Sequence, residues 1–84
     1  MSDAAAPTAV AVLEHIVKSI VDDPEQVTVD EVTDEGKHRL DVRVGDGDLG
    51  RVIGRRGRTA ASIRTVTRAA AAKDGVELDI KFLD

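Results

Sequence analysis

"GRVIGRRGRTAASI", residues 50–63, places four arginines and three glycines in the middle of an 84-residue chain whose formal net charge is −4. Its centre is a Gly-x-x-Gly tetrapeptide at residues 54–57, with apolar residues before it and an alanine-rich segment after it. Two helices joined by such a short turn expose backbone N–H groups at the start of the second helix, where the helix dipole attracts anions. The stretch therefore predicts two helices joined by a tight turn, with a phosphate-binding site at that turn.

The arginines belong to a longer basic segment. Residues 48–73 hold seven of the twelve basic residues and one of the sixteen acidic residues, so this segment carries +6 and the rest of the chain −10. Binding responds to the local field rather than to the total charge, so an acidic chain with this distribution can bind a polyanion. The competing interpretation is that the arginines form a solvated helix face.

Length and composition limit the class of protein. A chain of 84 residues can build one small domain with one core. It contains no cysteine, which excludes disulfides and zinc–thiolate sites and is typical of a reducing cytosol. There is neither a secretory signal nor an apolar run long enough to span a bilayer. We expect a cytoplasmic protein without a membrane partner, with a disordered tail at 1–7 and a single domain at 8–84.

Three helices are predicted from apolar spacing. The first covers residues 8–22, with Thr8 as its N-cap and Pro24 forcing the chain out of the helix. The second is a short helical segment at 49–53, and the third runs from 58 to about 73, where many alanines favour helix. The tetrapeptide with its two glycines therefore separates the second and third helices.

Three strands are predicted from alternating apolar and polar residues. The first covers residues 26–32, with a bulge suggested by Val32, which is out of phase with the earlier valines. The second covers 38–44, and Gly36 between them predicts an antiparallel hairpin. The third covers 76–84 and buries one face, with Phe82, the only aromatic residue, on the core side.

The order helix, strand, strand, helix, helix, strand defines the predicted fold. A strand followed by a two-helix crossover and another strand favours a parallel connection. We therefore expect an α+β fold of two layers, in which three helices cover one face of a three-stranded sheet.

The candidate binding residues lie in and beside the tetrapeptide. Gly54 and Gly57 let a phosphodiester approach the main chain, because no Cβ obstructs it. Arg55 and Arg56 point outward, and each can reach a phosphate. Further candidates are two flanking arginines, Arg51 and Arg58, and three apolar residues expected to floor a groove against the second strand, Val52, Ile53 and Ile63.

Other motifs are better explained as structural. "GDGDLG" at 45–50 has dinucleotide-binding spacing, but its two aspartates would repel a pyrophosphate and the chain is too short for that fold. It also begins like a calcium loop, but Gly57 stands where the final glutamate ligand is required. His15 and His38, expected on polar faces, have no partner pattern for a metal site. No metal, cofactor, small-molecule substrate or catalytic residue is predicted.

The segment "RVIGRRGRTAASIRTVTRAAA" resembles the signature of the K-homology (KH) domain. That signature is an apolar pair, a Gly-x-x-Gly turn and an isoleucine six residues beyond it, here Val52-Ile53, residues 54–57 and Ile63. The order of the six elements is similar to the type II, bacterial form. The resemblance implies single-stranded RNA binding, with the loop gripping about four nucleotides of backbone. It also implies a homodimer or a heterodimer with a second KH protein, acting in post-transcriptional control or as an RNA chaperone.

Two other functions fit the same residues. A protein-interaction module could keep this fold and direct its arginines at an acidic partner. Single-stranded DNA could occupy the same groove, because discrimination rests on contacts to the 2′-OH that no motif reveals. The loop residues should dominate binding to nucleic acid, whereas apolar surface outside the loop should dominate binding to a protein.

Overall fold

The computed structural model describes residues 5–83 and has the predicted order of elements. Short 3₁₀ turns lie at Pro24–Gln26 and Arg55–Gly57. Within the described residues the helices and strands are α1 (Pro7–Ile20), β1 (Thr28–Asp34), β2 (Lys37–Arg43), α2 (Leu49–Ile53), α3 (Arg58–Lys73) and β3 (Leu78–Phe82).

The three strands form one sheet with β2 in the centre. β1 and β2 are antiparallel and are joined by Glu35-Gly36, whose φ angles of 52° and 78° match the two positive values that tight hairpin turns require. β3 lies parallel to the other edge of β2, with Leu40 opposite Ile80. The predicted hairpin and parallel crossover are both confirmed.

One face of the sheet packs against the helices. The buried residues of β2 and β3 alternate along each strand, and Leu40 lies opposite Ile80, so they share that face. They join the buried faces of all three helices in a single core. The core residues include Leu13 and Val17 of α1, Leu40 and Val42 of β2, Val52 of α2, Ile63, Ala70 and Ala71 of α3, and Leu78 and Ile80 of β3. The α+β fold of two layers is as predicted.

The predicted bulge at Val32 is wrong. β1 pairs with β2 without interruption from Thr28 to Asp34, and the pairing of Val29 with Val42 places Val32 on the outer, polar face opposite Arg39. Glu31 consequently faces the helices, where its Oε1 accepts the Ala5 N–H at 2.9 Å. Val32 is out of phase with the earlier valines because the polar Glu31 takes the inner-face position before it. The strand contains no extra residue.

The start of α1 also differs from the prediction. The helix begins at Pro7, a residue type suited to the first helical position, and Thr8 makes no capping bond. Asp74, just after α3, instead accepts the N–H groups of Thr8 and Ala9 through one carboxylate oxygen, at 3.1 and 3.2 Å. Ala6 is fully buried. The structure thus describes the last three residues of the segment 1–7 for which disorder is predicted, and residues 1–4 lie outside the described part.

Most other boundaries shift by one or two residues. α1 ends at Ile20 rather than 22, and β1 runs from 28 to 34 rather than from 26 to 32. α2 and α3 match their predicted ranges. His38 alternates with Leu40 along β2 and so lies on the inner face, not on the polar face as predicted.

Candidate nucleic-acid interface

The Gly-x-x-Gly turn links α2 to α3 through unusual backbone angles. Gly54 ends α2 at φ 75° and ψ 175°, a combination that is essentially restricted to glycine. Arg56 at φ 58° and Gly57 at φ 72° are both left-handed. The Gly57 N–H donates to the Gly54 carbonyl at 3.1 Å and closes the turn. The prediction that this tetrapeptide separates two helices is confirmed.

Close packing adds a second reason for glycine at position 54. A Cβ on Gly54 would lie 2.6 Å from the Thr59 Cβ and 3.0 Å from the Thr59 backbone nitrogen, and would collide with the Thr59 hydroxyl as well. A Cβ on Gly57 would meet no atom within 4 Å. Gly54 thus allows α3 to begin directly against the end of α2, whereas at position 57 glycine is favoured by the backbone angle alone.

The first turn of α3 is open to an anion. Its N-cap, Gly57, has no side chain, and the first turn contains no acidic residue. The first N–H groups of this 16-residue helix therefore lack a side-chain acceptor from the cap, and the positive end of the helix dipole is not offset locally.

Three of the predicted arginines surround this helix start. Arg55, Arg56 and Arg58 are exposed. Within residues 5–83, none of the three forms an ion pair or a side-chain hydrogen bond. Their guanidinium groups are therefore available to an external partner, next to the open helix start.

Arg51 differs from these three arginines. Its Nη2 donates to the Asp22 carboxylate at 2.9 Å, and its Nε lies 3.5 Å from the Asp48 carboxylate. Asp48 is only 2% exposed. The predicted flanking cation therefore has two carboxylate partners within the protein.

The predicted apolar floor is mostly core. Val52 is fully buried and Ile63 is 3% exposed, so they hold the two helices together beneath the loop, while Ile53 is half-buried. The strand next to α3 is β3 rather than the expected second strand. Arg64 of α3 reaches this strand by donating from its Nε to the Ile80 carbonyl at 3.4 Å.

Arg64 was not among the candidate site residues predicted from the sequence. Its guanidinium carbon lies 5.3 Å from the centre of the Phe82 ring, in a cation–π contact at the free edge of the sheet. Phe82 is half-buried and packs against the core, on the predicted side. The only sequence signal was the position of Arg64 seven residues after Gly57, about two helical turns along α3.

Other parts of the described structure have fewer features of a binding site. An open pocket of about 540 Å³ lies at the far end of α3, next to Ala72, Gly75 and Leu78. Among the residues described, no group of three or more histidine, cysteine or acidic side chains could hold a metal ion. None of the helices in this range has the length and apolar character needed to cross a membrane.

The order of elements, the mixed sheet and the glycine turn between α2 and α3 define a type II KH domain. Comparison with known proteins supports this class, because residues 10–82 match the family described as "KhpA/KhpB, KH domain". The chain belongs to the KhpA/KhpB family of KH domains.

Several curated relatives cover nearly the whole chain. The RNA-binding protein KhpA of Clostridium acetobutylicum is 45% identical over 71 residues, which are 84% of this chain and 95% of the relative. The protein of the same name from Streptomyces coelicolor is 47% identical over 72 residues, 86% and 90% of the two chains. That of Borreliella burgdorferi is 40% identical over 75 residues, 89% and 92%. No solved structure gave a significant match.

Proposed function

We propose that this protein binds single-stranded RNA and grips its sugar–phosphate backbone with the loop of residues 54–57. One observation carries the proposal: three exposed arginines, which have no side-chain partner within residues 5–83, surround an uncapped helix start. Helix N-termini and arginines are the usual protein ligands of phosphate. The relatives named RNA-binding protein KhpA share this domain almost end to end.

Each predicted site residue except Arg51, which pairs with Asp22 and Asp48, has a place in this proposal. The Arg58 N–H already donates to the Arg55 carbonyl. The following N–H groups in the first turn of α3 bind one phosphate, and the side chains of Arg55, Arg56 and Arg58 bind neighbouring ones. Gly54 allows α2 and α3 to approach each other, and the buried Val52 and Ile63 hold them together. Ile53 is the one apolar member of the predicted floor with surface left for a nucleotide.

The proposed biological role is non-enzymatic and cytoplasmic. A module that grips the backbone of unpaired RNA is suited to post-transcriptional regulation or to RNA chaperone activity. We also propose a homodimer or a heterodimer with a second, KhpB-like KH protein. The family description, which names KhpA and KhpB together, supports this partner.

A protein-interaction function remains the second candidate because of one exposed apolar residue. Val66 of α3 is 48% exposed and borders shallow depressions together with Ala61 and Ala69. This surface lies along α3, away from the loop, and could contact a protein without using the arginines. Partner binding that persists in variants without the loop arginines would favour this protein-interaction function.

The decisive experiment is a titration with three nucleic acids. Single-stranded RNA, single-stranded DNA of the same sequence and duplex RNA are each titrated at about 50 and 200 mM salt. Engagement of three or four phosphates predicts that single-stranded RNA binding weakens about 20- to 50-fold between these concentrations. Equal affinity for the DNA would assign the site to single strands in general, and no binding to any of the three would reject the proposal.

A further inference from the structure

Asp48 is a buried carboxylate that joins two parts of the chain far apart in sequence. It precedes α2 at the N-cap position, but its side chain does not cap that helix. Its two oxygens instead accept the backbone N–H groups of Asp22 and Asp23, each at 3.1 Å. The carboxylate thus ties the start of α2 to the connection that follows α1.

Arg51 is the cation beside this buried charge. It lies one helical turn after Asp48, and its Nε is 3.5 Å from the Asp48 Oδ1. Its other end donates to Asp22, the residue whose backbone N–H Asp48 accepts. Arg51 therefore closes a ring of contacts between α2 and the α1–β1 connection.

The two ion pairs differ in strength because they differ in burial. Asp22 is exposed, and a surface ion pair of this kind contributes little to stability because water screens it. Asp48 is almost fully buried, and without its cation the cost of desolvating this carboxylate would be offset only by the two backbone N–H groups that it accepts. The Asp22 contact is the shorter of the two, but we expect loss of the Asp48 contact to cost more, because that carboxylate is buried.

We propose that Arg51 is a positioning residue, which fixes α2 and the following loop by neutralising Asp48, and that it does not contact RNA phosphate. α2 is only five residues long and ends at Gly54. A displacement of α2 at Asp48 would therefore move the loop directly. This inference rests on the proposed function, because it assigns one arginine of the basic segment a different task from the three at the loop.

The test compares Arg51→Ala with Arg58→Ala, which removes the same charge from an exposed arginine that has no ion-pair partner in the described part of the chain. The first measurement is the slope of log affinity for single-stranded RNA against log salt, which counts phosphate contacts. The second is amide hydrogen exchange at Asp22 and Asp23, whose N–H groups Asp48 accepts. The folded state of each variant is checked by its amide spectrum.

Arg51→Ala is expected to weaken RNA binding with an unchanged salt slope and to speed amide exchange at Asp22 and Asp23 about tenfold, or about 1.4 kcal/mol. Arg58→Ala is expected to lower the magnitude of the slope by about 0.7 and to leave that exchange unchanged. A lower slope in Arg51→Ala, or unchanged exchange at Asp22 and Asp23, would overturn the inference.

The two measurements also separate this inference from the proposed function. If the wild-type protein fails to bind RNA, the proposed function is rejected. The part of the inference that concerns RNA binding by the loop is then rejected as well. Amide exchange in Arg51→Ala then decides independently whether Arg51 holds Asp48, because that measurement needs no nucleic acid.

Discussion

The side chain of Thr59 occupies the space that a Cβ on Gly54 would need. The two Cβ atoms would be 2.6 Å apart, and the backbone angles of Gly54 are in a region closed to other residues. Thr59 belongs to the first turn of α3, so the contact fixes how closely α3 follows α2. The first glycine of the turn is therefore a packing residue as well as a backbone hinge.

Gly54→Ala is expected to destabilise the protein by about 3 kcal/mol, because backbone strain and the collision with Thr59 add to each other. Gly57→Ala is the matched control and is expected to cost about 1 kcal/mol, because only its left-handed angle is penalised. Urea unfolding of both variants gives the free energies. Thr59→Gly in the Gly54→Ala background should recover part of the loss, and equal costs at the two glycines would contradict the packing argument.

Arg56→Gly is expected to weaken RNA binding without destabilising the protein. Arg56 has a left-handed backbone at φ 58°, which costs about 1 kcal/mol in a residue with a side chain. Glycine relieves that strain but loses more entropy on folding, so the free energy of unfolding should stay the same or rise by up to about 1 kcal/mol. RNA affinity should fall, because a phosphate ligand is lost.

Arg55→Gly provides the control for this variant. Arg55 is not left-handed, so the same loss of charge should come with a destabilisation of up to about 1 kcal/mol. Thermal melts and RNA titrations of the two variants are compared side by side. A destabilised Arg56→Gly would show that the side chain of Arg56 stabilises the loop in some other way.

Asp74→Ala is expected to destabilise the protein by about 1 kcal/mol, because the first turn of α1 loses the carboxylate that accepts two of its N–H groups. Amide exchange at Thr8 and Ala9 should become faster. Thr8→Ala is the control and should change little, because Thr8 does not cap the helix. The opposite ranking of these two variants would restore Thr8 as the cap.

The contrast between Thr8 and Asp74 illustrates what the sequence can predict. α3 and the glycine turn were predicted closely, because helix propensity, apolar spacing and glycine placement are local signals. Asp74 and Thr8 are 66 residues apart, and Asp48 and Asp22 are 26 apart. Such pairs exist only after folding, so neither the cap of α1 nor the pairing of Arg51 with Asp22 could be predicted from spacing.

Stability is expected to fall in acid through two carboxylates of the sheet. A hydrogen bond from Arg39 lowers the pKa of Asp41, and the Ile80 N–H followed by Arg68 lowers the pKa of Asp79. Because both values are below those of the unfolded chain, near 3.9, the stabilisation is fully present above that pH. It is lost as the pH falls through the lowered values.

Unfolding midpoints measured between pH 7 and pH 2 test this expectation. The unfolding midpoint of the wild-type protein should decrease as the pH falls below about 4. Asp41→Asn should lower this midpoint at neutral pH and make the midpoint less dependent on acid. An Asp41→Asn protein with the wild-type acid dependence would assign that dependence to other carboxylates.

Arg55→Asp combined with Arg56→Asp is expected to abolish RNA binding while leaving the fold intact. Both side chains are exposed and make no ion pair within the described residues, so their replacement removes no packing and should change stability by about 0.5 kcal/mol or less. Binding should be lost because two phosphate ligands are replaced by charges that repel the backbone. RNA titrations across salt and thermal melts of both proteins test the two halves. A well-folded double variant that keeps wild-type affinity would move the site away from this loop, and the exposed apolar surface around Val66 would become the leading candidate for binding.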